Sequence, residues 1–225
     1  MTKKINIAID GPSGVGKTVM SNMLAKKLGY KFLSSGSFYR VIAFNAIKQN
    51  LDFKNEKQIN ESWEFADLNI TEDGKIIFKG NDISLSIRND EVSQAASKIA
   101  KFASIRKKVN LFIQDFANKH KGIIVDGRDA TYRILPNAEV KFFLWASAEI
   151  RAKRRVKQDA EMGIISNYND VLESIKIRDY NDMNRDIDPL KVSEGSIEID
   201  SSNMSVEENF KVMLDIVNEK VGNYE

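Results

Sequence analysis

The chain has 225 residues, 42% hydrophobic and 29% charged, with a net charge of +2 from 34 basic and 32 acidic side chains, which suits one globular core with at most a small insert and carries no nucleic-acid footprint. The absence of cysteine excludes disulfides and thiolate metal sites. No apolar run reaches the roughly 18 residues of a membrane span and Met1-Thr2-Lys3-Lys4 leads straight into a strand, so a cytoplasmic protein with no membrane partner is expected.

In chain order, apolar runs predict strands at 5–9, 30–34, 122–126, 140–145 and 196–200. Amphipathic spacing predicts helices at 17–28, 38–50, 90–101, 104–119, 147–162, 169–185 and 205–221. Short apolar strands separated by helices argue for a parallel sheet covered on both faces. Residues 52–88 break this rhythm: Leu68-Asn69-Ile70-Thr71 and Lys75-Ile76-Ile77-Phe78 flank Glu72-Asp73-Gly74, a hairpin signal. That segment reads as a small insert with antiparallel strands. Pro136 makes 130–139 a loop or short turn, and Ser205 with Glu208 reads as a capping box for the last helix. The single histidine, His120, reads as a surface residue before Gly122. No exposed apolar stripe points to a partner copy, so a monomer is expected.

Residues 11–18, Gly-Pro-Ser-Gly-Val-Gly-Lys-Thr, fit G-x-x-x-x-G-K-[ST] between the first strand and first helix. Gly11, Gly14 and Gly16 let the backbone curl so that successive N–H groups face phosphate oxygens. Pro12, Ser13 and Val15 fill the turn, Lys17 brings a point charge to the outer phosphates, and Thr18 offers a hydroxyl to Mg2+. The helix N-terminus behind adds partial positive charge. The expected fold is therefore α/β, a P-loop NTPase three-layer fold with a parallel five-stranded sheet flanked by helices.

Four further clusters bear on the chemistry. Ser35 and Arg40 follow the second strand, where open α/β sheets place ligands; an ordinary helix start explains them equally. Asp126 ends an apolar strand and aims a carboxylate at the metal region, with Arg128 and Asp129 after it; a plain strand-ending turn is the alternative. Arg151, Arg154 and Arg155 share one helical face and suit phosphate, or make a solvated basic face. Arg178, Asp182 and Arg185 share another, where Arg178 and Asp182 also fit a surface i,i+4 ion pair. So much cationic chemistry around one phosphate loop suits two anionic substrates meeting. No cysteine nucleophile or histidine base is needed if the acceptor is a phosphomonoester, largely ionised at neutral pH.

The order and spacing of these motifs resemble the bacterial cytidylate kinases, the (d)CMP kinases of the nucleoside monophosphate kinase superfamily. The likeness covers about residues 5–220. It rests on Ile9-Asp10-Gly11-Pro12-Ser13-Gly14, Ser35-Gly36 with Tyr39-Arg40, Gly127-Arg128-Asp129, and Phe143-Leu144 with Ala146-Ser147. It continues through Arg151-Ala152 with Arg154-Arg155, Arg178-Asp179 with Asn184-Arg185, and Pro189-Leu190. The resemblance implies a single P-loop kinase domain: core 1–51 and 104–225, NMP-binding insert about 52–103, lid about 151–168. It implies ATP as co-substrate with Mg2+, CMP or dCMP as acceptor, and no nucleic-acid partner. Residues 11–18 would hold the ATP phosphates, with Arg151, Arg154 and Arg155 on the lid over them. Ser35 and Arg40 would bind the acceptor nucleotide, Arg40 and Arg128 its phosphate, while Ser97, Arg106 and Asp129 read the cytosine edge. Arg178 and Asp182 would hold the ribose region, and Arg185 the phosphates in transfer; Lys17, Asp126, Arg128 and Arg185 form the expected catalytic set.

Two departures stand out: Ser34-Ser35-Gly36 replaces the family's Asp-[Ser/Thr]-Gly, and Ala130-Thr131-Tyr132-Arg133 replaces a residue followed by Gly-Thr. A kinase for UMP or another small acceptor is the nearest alternative. A GTPase switch would carry Asn-Lys-x-Asp after a strand; Asn218-Glu219-Lys220 does not fit.

Overall fold

A computed structural model describes residues 4–71 and 75–222. Its elements are β1 (Ile7–Asp10), α1 (Lys17–Leu28), β2 (Lys31–Ser34), α2 (Ser35–Lys48), α3 (Glu56–Glu61), β3 (Leu68–Ile70), β4 (Ile76–Phe78) and β5 (Asn81–Asp82). There follow α4 (Asp90–Ile99), α5 (Ala103–Lys119), β6 (Ile123–Gly127), β7 (Val140–Trp145), α6 (Ala148–Glu161), α7 (Tyr168–Asn184), β8 (Ile197–Asp200) and α8 (Val206–Gly222). The chain forms two compact units, one running to Leu33 and resuming at Phe116, the other Ser34–Asp115.

The first unit is built on a five-stranded sheet in the order β2-β6-β1-β7-β8. β1 pairs in parallel with β6 on one side and β7 on the other, and β7 with β8. All four residues of β1 are buried, as a central parallel strand requires. Ile7 and Ile9 pack with Leu144 and Phe142 of β7, Met20 and Leu24 of α1, and Met213 and Val217 of α8 in one apolar cluster. This sheet, flanked by helices, is the architecture expected from the alternating pattern.

Local chemistry sets the helix ends. α1 starts at Gly16 (φ 101°) and stops at Gly29 (φ 64°), whose N–H donates to Ala25 O, with Lys26 and Lys27 in the last turn. The capping box at α8 forms: Glu208 N donates to Ser205 Oγ at 3.1 Å and Ser205 N to Glu208 Oε2 at 2.8 Å. Between β6 and β7 lies a wide turn over Ala130–Ile134, closed by Leu135 N donating to Ala130 O at 2.8 Å.

The second unit carries a small antiparallel sheet, β3-β4-β5. The expected Glu72-Asp73-Gly74 turn lies outside the described residues; its flanking strands pair as expected, Ile70 opposite Ile76. Phe65 and Phe112 stack at 3.9 Å between centroids, with Phe38 edge-on to both. α3, which the pattern did not predict, is one short helix capped by Asn55, whose side chain accepts from Gln58 N.

Candidate active site

The phosphate loop leaves the end of β1, next to β7. A Cβ at Gly11 would lie 2.2 Å from Leu144 O on β7, so only glycine lets the loop turn there. Lys17 opens α1 and is buried; its Nζ donates to Gly11 O and Pro12 O, both at 2.7 Å. Burial and the neighbouring Arg128 charge hold the ammonium well below the usual lysine range, with Asp126, Asp10 and Asp182 working against them.

β6 runs beside β1 and delivers its carboxylate to the same place. Thr18 Oγ1 donates to Asp126 Oδ2 at 2.8 Å. Both are hard oxygen donors, a set that fits Mg2+ shared with substrate phosphates. Arg128, next along, donates from Nε to Asp182 Oδ2 on α7 at 2.7 Å. Burial of Asp182 opposes ionisation, yet Arg128, then Arg178 and Arg185, hold its pKa below the ordinary aspartate value. The i,i+4 pair open to Arg178 and Asp182 from spacing is thus only part of the Asp182 environment: its hydrogen-bonded ion pair is with Arg128, 54 residues earlier. Asp129, buried, lies 3.5 Å from Arg185 Nη2.

The three arginines of α6 diverge. Arg151 is almost wholly buried; Nη1 and Nη2 fork onto Asp179 at 3.1 and 2.5 Å, Nη1 also reaches Ser13 O at 2.9 Å, and Nε reaches Ala146 O at 2.8 Å. It therefore braces the phosphate loop through Ser13. Arg154 donates to Ser201 O at 2.6 Å, and Arg155, exposed, pairs with Asp159 at 2.9 Å.

In the second unit, Ser35 is the buried first residue of α2, and Arg40 on the same helix donates to Ile87 O at 2.9 Å. Arg106 is buried, bonds Ala100 O at 3.0 Å and lies over the Tyr39 ring. Ser97 is half-buried on α4.

The cytidylate kinase family model matches residues 7–219. A cytidylate kinase from Mycoplasmopsis synoviae (strain 53) is 44% identical over 96% of this chain and 100% of its own. One from Caldicellulosiruptor saccharolyticus is 42% identical over 98% of this chain and 99% of its own. This chain belongs to the cytidylate kinase family. Among solved structures, a gluconokinase from Sinorhizobium meliloti 1021 has a TM-score of 0.50 at 12% identity, covering 98% of this chain and 96% of its own. An uncharacterized protein from Eubacterium ventriosum scores 0.54 at 15% identity, with 96% and 99% covered; both likenesses concern the fold.

Within this family member, Asp10 is the functional candidate that motif reading passed over. It is fully buried at the end of β1, and its two oxygens accept from Ala130 N (2.8 Å), Thr131 N (2.9 Å) and Thr131 Oγ1 (2.6 Å). Burial pushes its pKa up to about 6 despite these bonds, with Asp129 adding to the rise. Asp10 thereby ties the residue before the phosphate loop to the turn that follows Arg128 and Asp129. Its place directly before Gly11 was the available signal. Its partners lie 120 residues away and left no local pattern.

Proposed function

We propose that this chain transfers the γ-phosphoryl group of ATP to a phosphate oxygen of CMP or dCMP, releasing ADP and CDP or dCDP. The observation that carries the reading is the meeting of Thr18 and Asp126 at 2.8 Å beside Lys17, in a chain matched to the cytidylate kinases from residue 7 to 219. Residues 11–18 cradle the ATP phosphates, and Thr18 with Asp126 supplies oxygens for Mg2+, which offsets phosphate charge when bound. Lys17 holds the outer phosphates. Arg151 keeps the loop in shape, while Arg154 and Arg155 on the lid contact ATP.

Ser35, Arg40, Ser97 and Arg106 hold the acceptor nucleotide, Arg106 and Ser97 with Asp129 on the cytosine edge. Arg178 and Asp182 hold the ribose. Arg128 and Arg185 orient the acceptor phosphate and offset charge spread over the transferring group. A new P–O bond forms to the acceptor oxygen as the bond to the β–γ bridging oxygen breaks, and ADP leaves with that electron pair. The acceptor phosphate is already largely ionised at pH 7, so no side chain has to remove a proton. Catalysis is positioning plus electrostatics.

A coupled ADP-release assay with ATP, Mg2+ and each of CMP, dCMP, UMP, AMP and GMP tests the reading. Turnover with CMP and dCMP and little with the others is expected. Turnover chiefly with UMP or a purine monophosphate would overturn the acceptor assignment.

A further inference from the structure

Arg185 sits at the end of α7, and its side chain is set by main chain. Its Nε donates to Asp188 O at 2.7 Å, Nη2 reaches the same carbonyl, and Nη2 also faces Asp129. Asp188 has φ +48°, a left-handed conformation that aspartate, like asparagine and glycine, adopts more readily than other residues. That conformation is held from two sides. Leu190 N donates to Asp182 O at 2.8 Å, closing the bend back onto α7. The Asp188 carboxylate, 8% exposed, takes the Arg133 Nε at 2.5 Å.

Arg133 belongs to the turn after Asp129, and its own N–H donates to Asp129 O at 2.8 Å. Tyr132 from the same turn donates to Pro189 O at 2.5 Å, with Lys191 over its ring. Two segments, 129–134 and 185–191, are therefore stapled by Arg133 and Tyr132, and the stapled residue presents the carbonyl that orients Arg185.

We propose that Asp188 is a positioning residue for Arg185, clamped by Arg133, and that this clamp sets the turnover rate and not ATP affinity. The inference rests on the reading that Arg185 meets the phosphates in transfer. The test compares Asp188→Ala, Asp188→Asn, Arg133→Ala and the double variant Asp188→Ala/Arg133→Ala with Arg185→Ala in the same assay. Asparagine tolerates the left-handed conformation and keeps an acceptor oxygen for Arg133; alanine does neither. Asp188→Ala is expected to lower kcat about 10- to 100-fold with KM for ATP within about twofold, the scale of a slightly misplaced catalytic group. Asp188→Asn should stay within about threefold of wild type, and the double variant should be no slower than Asp188→Ala, since both break one clamp. Equal loss in the alanine and asparagine variants, or losses that multiply in the double variant, overturns the proposal. An unchanged kcat in Asp188→Ala while Arg185→Ala collapses overturns the clamp and leaves the reaction assignment intact. Wild-type turnover in Arg185→Ala overturns the role of Arg185 on which both depend.

Discussion

Lys17 and Asp10 are both buried, and burial acts on them in the same sense, against the charged form. Lys17 has a use for its charge. Lys17→Ala is expected to abolish measurable phosphoryl transfer in the ADP-release assay; turnover within tenfold of wild type would remove the phosphate loop from the mechanism. Asp10 makes a prediction about stability. Its native pKa, about 6, lies above its ordinary value of 3.8, so between those values the folded chain binds more protons than the unfolded one. Stability from this group is complete below pH 3.8 and fades as pH rises through about 6. The full swing is about 3 kcal/mol on the linkage scale. In Asp10→Asn, the amide N–H2 must face the backbone N–H of either Ala130 or Thr131, so the variant should be less stable than wild type by about 1–3 kcal/mol at pH 7. The gap should be wider at pH 4. Urea denaturation of both chains at the two pH values measures it, and a gap that widens with rising pH would contradict the assignment.

At the scale of elements, β1 and β7 approach so closely that the phosphate loop has no room for a side chain at its first residue. Gly11→Ala places a Cβ 2.2 Å from Leu144 O, and should cost at least about 2 kcal/mol in chemical denaturation, since the obstacle is backbone that cannot rotate away. α6 and α7 are joined by the buried Arg151–Asp179 pair. Asp179→Ala would strand a guanidinium that is 1% exposed, with an expected loss of about 3–5 kcal/mol. The same measurement on Lys176→Ala, whose pair with Glu149 is exposed on both sides, should change stability by less than about 1 kcal/mol. These elements also mark where sequence reading reaches its limit. The strands of the large sheet and α1, α6, α7 and α8 were legible because alternation, helical spacing and caps are local. α3 is six residues, too short for a periodic signal inside a region already out of rhythm. The three α6 arginines looked equivalent because spacing reports a face and not a partner. Asp179, 28 residues on, separates Arg151 from the other two. The Arg128–Asp182 and Asp10–Thr131 contacts were hidden for the same reason.

For the whole molecule, ligand binding to the native state alone must raise its stability. With ATP–Mg2+ at a hundredfold excess over Kd the gain is about 2.7 kcal/mol, or roughly 5–10 °C in Tm for a chain of this size. CMP should give a shift of its own. Lys17→Ala should erase most of the ATP shift and leave the CMP shift, which separates loss of the phosphate loop from general damage. Equal loss of both shifts would mean that the substitution unsettles the fold.

In the resting protein the Lys17 ammonium already has company, two carbonyl oxygens of its own loop at 2.7 Å. A ligand entering the loop therefore competes with the protein for that lysine. Oxygens bearing full negative charge win the exchange, while a nucleoside or a short phosphate chain that stops before Lys17 gains little from it. On the proposed reading, these two carbonyls act as a threshold, so that the donor side of the reaction selects for the length of a phosphate chain before it selects for anything else.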